Sequence, residues 1–394
     1  MLDIIKYITN PFAYLCSIEF RLRRLRRRWR TMSKIAPLRY FLRSRYAVEA
    51  THLECEAFGR KFSSPVGLAA GFDRNGDMID SLASAGFGFI EVGSITTREQ
   101  RNTSKPSLYA LEEDRALIYR GQTDSAGVEK VIENIKRRHS NIMVGCNIVK
   151  GDLTPDEDAP TEYLKLFRPL YQYADYFTIN IAYNSTAKCY TPYDKDEINA
   201  ILTPLFEFRR GQNEYRPILM KISPDITDEQ VDIMTDIMLE TPLDGIVACG
   251  GSIGRHGLEK SASVMHSIGR TEGTMCGHPL HERALEVVRR IYERSKGTYP
   301  IIGCGGISTP DEAMAMLEAG ATLVQICSEF IYGGGASLRS INMGLDERIR
   351  AKEQQAIEAA KAKEAEEAEA KAEAEKAAET EVTTPNDKAN ENNG

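Results

Sequence analysis

The sequence predicts a (β/α)8 TIM barrel, class α/β, with an N-terminal helical extension and a C-terminal charged helix that gives way to a disordered tail. Three observations carry that prediction. Short apolar runs and helical patterns alternate eight times through the middle of the chain. Each run is too short for a helix and apolar on both faces, as a strand buried in a parallel sheet must be. The last two runs are linked by Gly303-Cys304-Gly305-Gly306-Ile307, whose glycines let backbone N–H groups approach an anion. In such a barrel the loops after the seventh and eighth strands commonly grip a phosphate, so a phosphorylated ligand is expected.

Residues 1–46 are the extension, with 12 Lys or Arg against 2 Asp or Glu in a 394-residue chain of net charge −7. Residues 1–20 are apolar but interrupted by Asp3, Lys6, Asn10 and Pro11, and seven arginines follow between Arg21 and Arg30, with Trp29 among them. A secretory leader places its charge first and ends in small residues. A membrane span needs about 20 unbroken apolar residues. Neither pattern fits. The charge pattern predicts a basic amphipathic, membrane-associating segment, peripheral on the cytoplasmic face, with arginines on anionic headgroups. The plainer alternative is a helical pair packed on the barrel with its arginines solvated.

Residues 47–345 form the barrel. Its predicted strands are Val66–Ala69, Phe89–Val92, Met143–Ile148, Tyr176–Asn180, Ile218–Ile222, Gly245–Ala248, Ile301–Gly303 and Leu323–Ile326. Helical patterns between them include Val128–Arg138, Thr161–Tyr173, Asp228–Leu239 and His281–Arg294. The last helix starts at Ser308-Thr309-Pro310-Asp311-Glu312 and stops at Glu318-Ala319-Gly320. Active-site groups belong at the C-terminal ends of the strands, and these ends are polar. The first runs into Ala70-Gly71-Phe72-Asp73-Arg74, the second into Gly93-Ser94, and the third to fifth carry Asn147, Asn180 and Lys221. A lysine inside an apolar strand needs a partner. It is either ion-paired to a neighbouring carboxylate or set beside an electron-rich ring that gains negative charge. With amides that offer both donor and acceptor, these groups describe a cup for flavin mononucleotide (FMN).

Residues 346–394 form the third part. Of the 30 residues in 351–380, 26 are Ala, Glu or Lys, with Ile357 the only large apolar one, which predicts a solvated helix; from Glu381 the chain reads as disordered. The acidic body and the terminal placement of the basic block argue against a nucleic-acid partner. Eight cysteines without a CxxC pattern read as buried reduced thiols, which suits a reducing compartment. His256, His266, Cys276, His278 and His281 match no standard ligand spacing, so no metal is expected. Oligomeric state is left open.

From about Ser64 to Gly334 the chain resembles the dihydroorotate dehydrogenases of the membrane-associated, quinone-using class. The motifs are Pro65 to Asp73, Gly86 to Ser94, Asn180-Ile181, Lys221 to Asp225, Gly277-His278-Pro279-Leu280, and Ile301 to Ile307. The resemblance implies an FMN-dependent oxidoreductase acting on a CH–CH bond, converting dihydroorotate to orotate in pyrimidine biosynthesis and reoxidised by quinone. It implies cofactor contacts from Ala70, Gly71, Arg74, Ser94, Asn147, Asn180, Lys221, Cys249, Gly277, Gly305, Gly306, Cys327 and Ser328, the last two at the phosphate. Substrate contacts fall to Arg74, Asn180, Ser185, Gly250 and Gly251, and catalysis to Tyr183, Lys221 and Arg74.

The substrate side departs from the family pattern. The family's Asn-Ile-Ser-Ser-Pro-Asn-Thr, with its serine base, is here Asn180-Ile181-Ala182-Tyr183-Asn184-Ser185-Thr186. Its Asn-Arg-Met-Gly-Phe-Asn-Asn loop is Tyr119-Arg120-Gly121-Gln122-Thr123-Asp124-Ser125, its Thr-Asn-Thr is Cys249-Gly250-Gly251, and Arg74 stands for a lysine. Each amide lost from a polar substrate leaves a group unpaired, at roughly 1–3 kcal/mol. Tyrosine is a weak base, with a reference pKa near 10, unless a cation lowers it. Two alternatives follow: an FMN enzyme of this fold acting on another substrate with Tyr183 as proton donor, or a non-catalytic, membrane-tethered barrel. Glu329, where the family prefers glycine, puts a carboxylate beside the expected phosphate.

Overall fold

The computed structural model describes residues 18–104, 107–120, 123–182, 194–260 and 273–382, with side chains to residue 371. The chain divides into two units, Met1–Leu345 and Asp346–Gly394.

Eight parallel strands close into a barrel: β1 (Val66–Leu68), β2 (Phe89–Ile95), β3 (Met143–Ile148), β4 (Tyr176–Asn180), β5 (Ile218–Ile222), β6 (Gly245–Ala248), β7 (Ile301–Cys304) and β8 (Leu323–Ile326). Neighbours in sequence are neighbours in the sheet, and β8 pairs with β1 to complete the ring. The expected (β/α)8 fold is therefore present. Every residue of β1, β5, β6 and β8 is buried, which is why these segments read as apolar runs, broken only by Lys221 in β5 and Gln325 in β8. The ladder between β2 and β3 shifts register between Gly93 and Ile95, where the chain turns from barrel wall to cleft.

The N-terminal end of the barrel is plugged by an antiparallel hairpin, Cys55–Ala57 with Arg60–Phe62. Its turn places Phe58 and Gly59 at φ 53° and 68°, the left-handed pair that matches the twist of a two-residue hairpin. Ala57 and Phe62 pack against Phe89, Tyr176, Leu219, Val247, Ile302 and Leu323 at the base of the strands. At the opposite end stands a three-stranded antiparallel sheet of Leu108–Leu111, Ala116–Tyr119 and Thr274–Gly277. Its residues alternate. Ala116, Ile118 and Met275 join a core with Leu111 and Leu280, while Leu117, Tyr119, Thr274 and Cys276 face the cleft below.

Outside the barrel, α1 (Ile18–Lys34) and α2 (Ala36–Tyr46) pack on α3 (Ile79–Ser84), burying Leu22, Trp29 and Leu42. The Trp29 ring lies 5.1 Å from Phe330, which also meets Phe72 and Phe87 at 5.0 Å each. Further helices are α4 (Val128–Lys136), α5 (Ala159–Leu170), α6 (Lys195–Arg210), α7 (Asp228–Glu240), α8 (His281–Ser295), α9 (Pro310–Glu318) and α10 (Ser328–Val382). In α9, Thr309 accepts from the Glu312 N–H and the Glu312 side chain returns to the Thr309 N–H, a capping box that fixes its start. The helix α10 is kinked at Gly334 (φ 62°). Within the second unit it continues to Val382, two residues into the segment expected to be disordered, and its side chains are exposed from Arg350 through Lys371. Among the described residues no helix is long and apolar enough to cross a membrane.

Candidate active site

At the C-terminal ends of the strands lies a cleft whose floor is a hydrogen-bonded polar network. Glu91 of β2, fully buried, accepts from Asn147 Nδ2 at 2.8 Å, Thr178 Oγ1 and Gln325 Nε2 at 2.9 Å, and Tyr176 OH at 3.3 Å. Lys221 Nζ stands 3.9 Å from Glu91. Burial opposes its charge, but the surrounding acidic groups, Cys304 and then Glu91, hold its pKa above the ordinary lysine value. Burial raises the Cys304 thiol, so the carboxylate of Glu91 is the lysine's effective counter-ion near neutrality. Both readings of a strand lysine therefore meet here, because Lys221 is ion-paired and also lines the cleft. Asn147 Oδ1 accepts from Ser94 Oγ at 2.6 Å, and Ser94 Oγ in turn accepts from Asn180 Nδ2 at 3.2 Å. Each amide keeps further donor and acceptor capacity. Gln325 Oε1 is buried with no hydrogen-bond partner among the described residues.

The far end of the cleft follows β7 and β8. Gly306 sits at φ 67°, and a side chain there would place a Cβ 2.8 Å from the His278 carbonyl oxygen. Only glycine fits that close approach. Cys327 leaves β8, and Ser328 opens α10, whose first N–H groups form an anion seat. Burial pushes the Cys327 thiol up to about 11, leaving it neutral at physiological pH. Glu329 does not stand as a bare charge at this seat. It pairs with Arg115, accepts from Ser337 Oγ at 2.5 Å, and is 5% exposed.

The roof is held differently. Arg74 donates to the Gly71 carbonyl at 3.1 Å and to Tyr119 OH at 3.2 Å, lies 3.2 Å from Asp124, and stacks over the Tyr119 ring at 4.6 Å. Tyr119 OH also accepts from Asn102 Nδ2 at 3.0 Å. From α1, Arg26 Nη2 reaches the same Gly71 carbonyl at 2.5 Å and lies over the Phe72 ring at 5.7 Å. Burial, then repulsion from Arg74, push it down to about 9. No carboxylate is within ion-pair distance of Arg26 among the described residues.

All the residues expected to contact cofactor line this one cleft: Ala70, Gly71, Arg74, Ser94, Asn147, Asn180, Lys221, Cys249, Gly277, Gly305, Gly306, Cys327 and Ser328, joined by Gly250 and Gly251. Tyr183 and Ser185 lie outside the described residues. Sequence reasoning missed Glu91, Gln325 and Arg26. Glu91 and Gln325 carried the clue that exposed Lys221, a polar residue inside an apolar run. Arg26 is one of seven similar arginines, and only packing picks it out. Of the histidines and cysteine considered for metal, His278 Nδ1 instead lies 3.1 Å from Glu312. The glycine cradle, the helix start and the orphaned Gln325 oxygen would suit a flavin, with Lys221 among the residues that would hold it.

A family model for dihydroorotate dehydrogenase matches residues 52–349. The chain belongs to the dihydroorotate dehydrogenase family. It is 39% identical over 320 residues to a dihydroorotate dehydrogenase (quinone) of Christiangramia forsetii, covering 81% of this chain and 92% of that protein. A dihydroorotate dehydrogenase (quinone) of Thermosynechococcus vestitus is 37% identical over 325 residues, covering 82% and 87%. Among solved structures, ligand-free DHODH from Eimeria tenella superposes with a TM-score of 0.70 at 28% identity, covering 78% of this chain and 92% of that one. The ferulenol complex of the Eimeria protein gives 0.68, covering 76% and 85%. As a dihydroorotate dehydrogenase family member the chain is an oxidoreductase, and the family is flavin-dependent.

Proposed function

We propose that this chain binds FMN, oxidises dihydroorotate to orotate and passes the electrons to a quinone while docked peripherally on a membrane. The observation that carries the reading is the cleft floor, where a buried Lys221–Glu91 pair and an orphaned Gln325 oxygen lie beside a glycine cradle and a helix start. FMN, when bound, supplies the acceptor for the hydride leaving C6 of the substrate. Lys221 keeps a positive charge at that ring, favouring the negative charge that reduction brings. Arg74, clamped by Gly71, Tyr119 and Asp124, presents a fixed guanidinium to the substrate carboxylate. Asn180, Ser185, Gly250 and Gly251 complete the substrate contacts. Tyr183 takes the place of the base that removes the C5 proton, a role that requires a cation such as Arg74 to ease its ionisation.

Residues 1–46 act as the docking part, 47–345 as the catalytic barrel and 346–394 as a solvated spacer. On α1, α2 and the junction between them, Phe20, Ile35, Tyr40 and Phe41 are exposed, as are Arg24, Arg27 and Arg28, the composition of an interfacial helix pair. Reduced thiols and anionic lipid favour the cytoplasmic face. The test is steady-state orotate formation from dihydroorotate with a short-chain quinone. Activity that falls roughly 10²–10⁴-fold in Tyr183→Phe supports the reading. Flavin-loaded protein that makes no orotate overturns it.

A further inference from the structure

We propose that the seam between the N-terminal helices and the barrel binds a phosphate group. The inference is independent of the redox reading. A cavity of 660 Å³ opens between α1, α2, α3 and α4. Six cationic side chains line it: Arg30 and Lys34 of α1, Arg39 of α2, Lys130 of α4, and Arg137 and Arg138 after α4. The lining carboxylates are Asp77 and Asp80, and both are already engaged. Asp77 pairs with Arg30 at 2.5 Å. Asp80 Oδ1 accepts the His139 and Ser140 N–H groups at 2.9 Å.

The remaining cations are poorly matched. Lys130 and Arg137 share one carboxylate, Glu133, at 2.7 and 4.0 Å. Arg39 Nη1 donates to the Ser33 carbonyl at 2.7 Å, and Arg138 approaches Asp175 only to 3.7 Å. Arg138 Nη1 is buried without a hydrogen-bond partner, and Lys34 has no ion-pair partner among the described residues. His139 also lines the cavity.

A concave wall of one sign concentrates the opposite ion. The excess of charge and the mix of guanidinium forks with ammonium points suit the several oxygens of a phosphate better than a flat carboxylate. Donors come from both sides of the seam, so a bound phosphate ties α1 to the barrel. Because α1 also carries Arg26 into the cleft, occupancy holds one wall of the active site in place. The phosphate belongs either to a soluble ester or to a phospholipid headgroup.

Two full-length variants separate these sources: K34Q/K130Q/R137Q in the seam and R24Q/R27Q/R28Q on the outer face of α1. Inorganic phosphate at 10–20 mM, against chloride of equal ionic strength, raises the unfolding midpoint by roughly 2–4 °C if the soluble group is bound. That rise is lost in the seam variant and kept in the outer-face variant. If the group is a headgroup, phosphate gives no rise, but co-sedimentation with phosphatidylglycerol–phosphatidylcholine vesicles weakens about tenfold or more in the seam variant. The single variant Lys130→Gln, on the exposed side of α4, repeats both measurements should the triple variant fold poorly. The proposal is overturned if wild type ignores phosphate and vesicle binding drops only in the outer-face variant. It is equally overturned if seam variants respond to both probes as wild type does.

Discussion

The floor and the roof of the cleft are built by opposite rules. Floor residues project from strands of a closed barrel, each with its partner fixed by ladder register: Glu91 with Asn147, Thr178, Gln325 and Lys221. Roof residues come from segments between strands. There Arg74 is held by a carbonyl, a phenol and a half-exposed Asp124, all outside the barrel ladder. A change in the floor orphans several buried groups at once, whereas a change in the roof disturbs one or two. Family-like residues persist in the floor, whereas the departure at Tyr119 falls in the roof. Floor and roof are thus under separate physical constraints within one cleft.

The largest effect tests the floor. Glu91→Ala strands Lys221 and four buried donors, and costs about 3–5 kcal/mol in chemical denaturation, with loss of bound flavin. A loss below about 1 kcal/mol would erase the contrast between floor and roof. Next comes Arg74→Ala, which removes the roof's guanidinium. It is expected to raise the KM for dihydroorotate by roughly tenfold or more while changing stability by less than about 1 kcal/mol.

A third prediction concerns Asp73, at the junction of floor and roof. Burial, and then the neighbouring Asp77 carboxylate, push its pKa up to about 7. The folded protein therefore keeps a proton that the unfolded chain, with a value near 3.9, releases. Its stabilising contribution is complete below about pH 4 and is lost as pH rises through about 7. Denaturation midpoints should fall across that window in wild type and fall less in Asp73→Asn. An identical profile in the variant would remove Asp73 from the explanation. The smallest effect is Thr309→Ala, which opens the capping box of α9 and costs about 1 kcal/mol in the denaturation midpoint.

The same division decides what was legible in the sequence. The eight strands could be read because residues buried on both faces must be apolar, and Lys221 stood out against that background. The base hairpin was not read, since Cys55–Phe62 mixes charged and apolar residues and is held by tertiary packing on Phe89 and Tyr176. The roof sheet was missed because Thr274–Gly277 pairs with Ala116–Tyr119 across most of the barrel's sequence. Glu329 looked hostile to a phosphate from its position alone. Its neutralisation by Arg115 depends on a long-range ion pair that spacing does not reveal.

The most direct test is a single anaerobic turnover. Flavin-loaded protein mixed with one equivalent of dihydroorotate should bleach its visible flavin absorbance and recover it on adding a quinone. A flavin that remains oxidised under saturating dihydroorotate, in protein that a chemical reductant does bleach, would contradict the proposed chemistry while leaving the floor intact.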